Sequence, residues 1–150
     1  MTCNKVQSEQ DTIKLLKECD AGIKMGIAAI DDVFEYTKSD KLNKILSESK
    51  IKHEMIQQDL NMVLDRYNDD GKDPNKMVKG MSWIKTNMKL AMETSDETIA
   101  DLITDGCNMG VKSLNKYMNQ YSCADKSATD IAKRLIRTEE QLALDVSKYL

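Results

Sequence analysis

Apolar residues recur along this chain in alternating steps of three and four positions, the spacing that lines one face of an α-helix. Such stripes run over residues 13–34, 42–67, 77–92, 99–121 and 132–149. No segment shows the competing two-residue alternation of a β-strand. The pattern therefore predicts one all-α domain spanning 1–150, with helices over about 8–37, 41–68, 74–92, 95–121 and 125–149.

Turn-forming and capping residues separate the stripes. Residues 37–40 carry Thr, Ser and Asp, and residues 68–74 hold the only proline of the chain. Before the stripe at 99–121, Thr94 and Glu97 fit a capping box, and Ser95 is a rival N-cap. Each of these positions predicts the end of one helix and the start of the next.

The lengths of the connections predict how the helices are arranged. The first two helices are joined by a few residues, and so are the last two, so each pair should form an antiparallel hairpin. The segment between the hairpins contains a predicted helix of about 17 residues, which would reach roughly 25 Å, far enough to return along the bundle. Two hairpins joined by a long crossover are typical of a ferritin-like four-helix bundle. We therefore expect that fold, with an extra helix in the crossover, an arrangement that also permits a swapped dimer.

The charge balance bears on partners and location. The chain has 22 Lys and Arg against 25 Asp and Glu, a net charge of −3, whereas sequence-independent binding to nucleic acid or acidic membrane needs a basic excess. No stretch approaches the about 18 apolar residues of a membrane span, and the start lacks an apolar signal segment. We expect no nucleic-acid partner, no membrane partner and a cytoplasmic location. In that compartment Cys3, Cys19, Cys107 and Cys123 should be reduced thiols.

Three segments carry a resemblance to a known family. They are Asp20-Ala-Gly-Ile-Lys-Met-Gly26, Met81-Ser-Trp-Ile-Lys85 and Asp105-Gly-Cys-Asn-Met-Gly-Val111. Through them the chain resembles an uncharacterised bacterial family of short ferritin-like four-helix bundles, and the resemblance covers nearly the whole chain. It implies the fold and the crossover, but no established activity. Proteins of the wider ferritin-like superfamily hold a di-iron site made of a Glu on two helices and Glu-x-x-His on the other two. The resemblance therefore implies that this pattern should be sought here.

The residues of this chain do not supply that di-iron set. His53 is the only histidine, and the closest fragment, Glu54 with Gln57, has an amide in place of the imidazole. Neither Glu139 nor Glu140 is followed by His three positions later. Because such a site needs several carboxylates and two imidazoles on inward faces, we do not expect an orthodox di-iron centre.

Asp20, His53 and Glu139 each interrupt an apolar stripe, where a polar side chain needs a partner. Folding the first hairpin about residues 38 and 39 sets His53 level with residue 24 and some 6 Å along the axis from Asp20. One interpretation is that these groups satisfy one another and fix the helix register at some cost in stability. The alternative is a site for one divalent ion of iron, manganese or zinc, with His53, Asp20 and Glu139 as ligands and Asp105 as a further one.

Methionines are dense in the segment predicted to form the crossover. Met fills irregular gaps in a core and also suits adaptable contacts with a partner. Trp83, the only tryptophan, lies beside Met81 and Met88, and Trp is typical of the centres of interfaces. We expect these three residues to contact a partner, or Trp83 to anchor the crossover on the bundle.

Motifs for catalysis are missing from the sequence. There is no phosphate-binding glycine loop, nucleophile elbow or HExxH zinc motif. Cys19 with His53 is a conceivable nucleophile pair, but Cys19 lies on an apolar stripe, where burial would raise the pKa of its thiol and silence it.

The sequence therefore favours a non-enzymatic helical bundle that needs no cofactor and acts by association, as a homodimer or with another protein. The alternative is a metal-binding or redox protein that uses Asp20, His53 and Glu139. A third possibility is a small-ligand carrier, because the small residues of both central faces signify either close helix packing or a cavity. Those residues are Gly22, Gly26, Gly106 and Gly110.

Overall fold

The computed structural model describes residues 2–67 and 94–150, which form four α-helices with no strand among them. The helices are α1 (Lys5–Phe34), α2 (Asp40–Asp65), α3 (Asp96–Gln120) and α4 (Lys126–Val146), and a short 3₁₀ turn, Ser147–Tyr149, follows α4. The all-α class and the four-helix bundle are thereby confirmed. The helix predicted over 74–92 lies outside the described residues.

Each helix begins at a side-chain cap. The N-cap residues are Asn4, Ser39, Ser95 and Asp125, and each accepts a hydrogen bond from a backbone N–H three positions later. Asn4 Oδ1 lies 2.7 Å from the backbone N of Gln7, and for this reason α1 begins at Lys5 rather than near residue 8. Ser95, and not Thr94, caps α3, so the capping-box prediction is wrong and its rival is correct.

Two sets of contacts fix the direction of the helices. Asp96, the first residue of α3, accepts hydrogen bonds from the backbone N–H groups of Lys38 and Ser39 in the α1–α2 turn. At the other end, Asp11 and Thr12 of α1 accept hydrogen bonds from residues of the α3–α4 turn. Helices α1 and α4 therefore run one way and α2 and α3 the other. The end of α2 and the start of α3 lie at opposite ends of the bundle.

In the described part of the chain, the core consists of two hydrophobic clusters, one toward each end of the bundle. One contains Leu15, Leu16, Leu60 and Leu135, and the other contains Ile30, Leu42, Leu46 and Ile99, all of them almost wholly inaccessible to solvent. Burying each such side chain contributes about 1.5–3 kcal/mol. The sequence positions of His53 and Glu139 fall between the two clusters, so the middle of the bundle is where the apolar core is interrupted.

A disulfide joins Cys3 to Cys123 across 120 positions of sequence. It ties the start of α1 to the α3–α4 turn, beside the hydrogen bond from the Cys123 backbone N–H to Asp11. The prediction of four reduced thiols is thus wrong for this pair, because the bundle brings together two chain segments whose spacing in sequence gives no hint of contact. Cys19 and Cys107 are free and buried.

Among the described helices, none combines the length and apolar character needed to cross a membrane.

Candidate ligand cavity

His53 of α2 is completely buried, and both of its ring nitrogens face oxygen atoms. Nδ1 lies 2.7 Å from the backbone oxygen of Ser49, one turn earlier in α2. Nε2 lies 2.5 Å from Oε1 of Glu139 in α4. A carbonyl and a carboxylate are both acceptors, so the ring satisfies both by donating from both nitrogens, which is the charged imidazolium form.

The surroundings of His53 shift its pKa in opposing directions. Burial lowers the pKa, because it disfavours the charged ring. The hydrogen bond and the negative charge of Glu139, together with the hydrogen bond to the Ser49 carbonyl, raise it, and their sum leaves the pKa above 6.5. The His53–Glu139 pair is therefore a buried cation beside a buried anion, with a net charge near zero.

A third polar side chain, Cys107 of α3, adjoins the pair. Burial raises the pKa of the Cys107 thiol, as do the charge of Glu139 and its hydrogen bond with the thiol, against a smaller opposing contribution from the backbone at Ala143. The sulfur is thus protonated and donates to the carboxylate. Burial likewise raises the pKa of Cys19 to about 12, as its position on an apolar stripe predicts.

Glycines on α1 and α3 leave space around this pair. A Cβ at Gly26 would lie 2.9 Å from His53 Nε2, so the ring occupies the place of a side chain on α1. A Cβ at Gly110 would lie 3.6 Å from Glu139 Oε2, and one at Gly106 would meet no atom within 4 Å. The glycines therefore have two roles: Gly26 admits the imidazole, and Gly106 borders open space.

That open space is a cavity of about 330 Å³ between α1 and α3. All four glycines named in the sequence line it, and Gly26 also packs closely against the imidazole, so these small residues serve both a cavity and close packing. Its other lining is mainly apolar, including Met25, Ile30, Leu102, Ile103, Leu114 and Leu142. His53, Cys107 and Glu139 supply its buried polar groups, and Glu18, Ser113 and Tyr117, which are less buried, also line it.

The four residues of the alternative metal site are not all brought together. His53 and Glu139 are in contact, whereas buried Asp20 forms an ion pair with Lys24 on its own helix, with Nζ 2.6 Å from Oδ2. Asp105 is exposed on α3, and neither aspartate lines the cavity. Within residues 2–67 and 94–150, no three His, Cys, Asp or Glu side chains are grouped to hold a metal ion.

A di-iron centre of the kind found in the wider ferritin-like superfamily does not fit these residues. The only imidazole of the chain has both nitrogens directed at the Ser49 carbonyl and Glu139. The predicted contact residues Trp83, Met81 and Met88 lie outside the described part of the chain.

The interpretation that the polar residues of the apolar stripes satisfy one another fits His53 and Glu139, which are hydrogen-bonded, but not Asp20, which pairs with Lys24. The part played by Cys107 was not predicted. The predicted hairpin register placed His53 level with residue 24, two positions from Gly26, which the ring faces. Cys107 and Gly110 lie on the same predicted stripe as Ile103 and Leu114, and that stripe was the sequence signal that could have placed them near the cavity.

Comparison of the chain with protein-family models, with curated proteins and with solved structures finds no match.

Proposed function

We propose that this four-helix bundle is a non-enzymatic binding protein that holds a small, mainly apolar molecule in the cavity between α1 and α3. The observation that carries the proposal is a cavity of about 330 Å³ in the middle of the bundle, lined mainly by apolar side chains and by the buried His53–Glu139 pair. Glu18, Ser113 and Tyr117 are the further polar residues of the lining. Small-molecule sites typically combine an apolar lining with a few placed polar groups.

The volume of the cavity suggests the size of the ligand. It is about twice the roughly 150 Å³ of an engineered apolar cavity that binds benzene. A compound with two fused aromatic rings, or an aliphatic molecule of similar bulk, would fill it. Burial of such a molecule against Ile103, Leu114 and their neighbours would provide the binding free energy through the hydrophobic effect.

We do not propose that the protein catalyses a reaction of the bound molecule. The thiols of Cys19 and Cys107 have raised pKa values and so are poor nucleophiles. His53 lacks a nitrogen that is free to take a proton from a ligand, because both nitrogens face acceptors. These residues therefore fit a binding role better than a catalytic one.

The ferritin-like topology, with a crossover helix over 74–92, belongs to the same proposal. It is supported by the placement of the end of α2 and the start of α3 at opposite ends of the bundle. Association through Trp83, Met81 and Met88, and the bacterial family resemblance, stay predictions.

The cytoplasmic location also stays a prediction, and the Cys3–Cys123 disulfide weighs against it, since disulfides persist mainly in oxidising compartments.

The metal-binding alternative stays a prediction with its own test. Elemental analysis after incubation with iron(II), manganese or zinc would support it if near-stoichiometric metal were retained and then lost in His53→Ala. Retention of no metal would contradict it.

A titration with naphthalene, measured by calorimetry, tests the binding proposal. Gly106→Phe should abolish binding, because its side chain would enter the open space beside residue 106 and occupy the cavity. Gly106→Ala is the matched control: it adds one methyl at the same position and should still bind. Absence of binding to the wild-type protein, or equal binding by the Phe variant, would contradict the proposal.

A further inference from the structure

We infer that the ligand of this cavity carries a neutral hydroxyl group, as in a phenol or an alcohol, and donates its hydrogen bond to the carboxylate of Glu139. This inference rests on the proposed function and names the chemical class of the ligand. It follows from three properties of the carboxylate: its remaining acceptor sites, its charge balance and its accessibility from α3.

The first property is the acceptor capacity of Glu139. A carboxylate offers about four lone-pair sites for hydrogen bonds. His53 Nε2 uses Oε1, and the Cys107 thiol provides a second hydrogen bond. The carboxylate thus retains capacity on the wall of the cavity, where a wholly apolar ligand would leave it without a further donor.

The second property is the charge balance. The carboxylate is already neutralised by the imidazolium of His53. An ammonium head group would place a second cation beside that ring, and a carboxylate head group would place a second anion beside Glu139. Either would bury a net charge beside the pair, which is costly in an apolar cavity. Glu18, the other carboxylate of the lining, is partly exposed and lies eight positions before Gly26 on α1, about 12 Å along the helix axis from it. A neutral donor completes the hydrogen bonds without changing the charge.

The third property is access. Gly110 faces Glu139 from α3, and the position of its missing Cβ is 3.6 Å from Oε2 and 3.8 Å from Cδ. This glycine leaves the carboxylate uncovered on the cavity side. A methyl group at position 110 would make ordinary van der Waals contact with Oε2 and cover it without a clash.

Comparison of 2-naphthol with 2-methoxynaphthalene tests the inference, because the ether keeps the ring system and the oxygen but lacks the donor. The wild-type protein should bind the naphthol at least about tenfold more tightly, which is the effect of about 1.4 kcal/mol of discrimination. Gly110→Ala should remove this preference. Gly106→Ala, an identical change one turn away that meets open space, should keep it.

The outcomes separate the inference from the proposed function. Equal affinity of the wild-type protein for the two compounds would overturn the hydroxyl inference and leave the cavity as an apolar binding site. Failure of both compounds and of naphthalene to bind would overturn the proposed function itself. Tighter binding of 2-naphthylmethylammonium than of 2-naphthol would overturn the neutral class, and an unchanged preference in Gly110→Ala would overturn the role of Glu139.

Discussion

At the scale of single residues, the middle of the bundle depends on His53 and the groups around it. Its ring lies between the Ser49 carbonyl and Glu139, and it fills the space that a side chain at position 26 would need. Removal of one partner of such a buried pair leaves a charge without compensation, which is more destabilising than the loss of a surface ion pair. The pair thus supports the fold and also supplies the central polar wall of the cavity.

The pH dependence of stability should reveal this pair. Because the pKa of His53 is raised in the folded state above its unfolded value near 6.5, its stabilising contribution is complete below about pH 6.5 and is lost as the pH rises through the folded pKa. Urea unfolding between about pH 5 and 9 should therefore show a falling free energy of unfolding in the upper part of that range.

Glu139→Gln is the control for this prediction. In this variant the two causes that come from Glu139 and raise the pKa of His53 are gone, so the decline in the free energy of unfolding with rising pH should be smaller than in the wild-type protein. Other titrating groups are common to both proteins and cancel in the difference between the two profiles. Parallel profiles would show that the two side chains are not coupled.

At the scale of the helices, local pattern predicted more than long-range geometry. Helical periodicity and capping residues depend on neighbours in sequence, and they located all four described helices to within about three residues at each end. The contact between His53 and Glu139, 86 positions apart, depends on the rotation and register of two helices, and an error of one residue turns a side chain by about 100°. Gly106 carries no signal that separates close packing from a cavity, since both need a small residue.

The start of α3 gives a matched test of capping. Ser95 Oγ accepts the backbone N–H of Thr98 at 3.1 Å, so Ser95→Ala should lower the free energy of unfolding by about 1 kcal/mol. Thr94→Ala, one position earlier, should change it by no more than about 0.5 kcal/mol. Chemical denaturation of both variants measures the difference, and a larger loss in Thr94→Ala would restore the capping box as the correct interpretation.

At the scale of the whole molecule, two apolar clusters and one disulfide hold four helices around a central cavity. The disulfide closes most of the chain into a loop, and Asp11 and Thr12 anchor the same end through hydrogen bonds to the α3–α4 turn. Because the two ends of the bundle provide these stabilising contacts, the middle, where the clusters are interrupted, can be less tightly packed. The bundle can therefore contain a cavity and remain folded.

Removal of the disulfide should therefore destabilise the whole domain. Cys3→Ser should lower the free energy of unfolding by about 2–5 kcal/mol, because the unfolded chain regains the entropy that a long closed loop removes. Dithiothreitol should bring the wild-type protein close to the variant and leave the variant unchanged. Four titratable thiols in unreduced, denatured wild-type protein would contradict the prediction, which expects only Cys19 and Cys107.

The most direct measurement is a two-dimensional ¹H–¹⁵N NMR titration of the labelled protein with naphthalene, since it shows where a ligand binds. We expect saturable shifts of the backbone signals of Gly22, Gly26, Gly106 and Gly110, which line the cavity. The signals of exposed positions of α2, such as Lys44 and Gln58, should stay unchanged. The same titration of Gly106→Phe should leave all four regions unshifted. Saturable shifts confined to the α2 surface, or no shifts at all, would contradict a ligand cavity between α1 and α3.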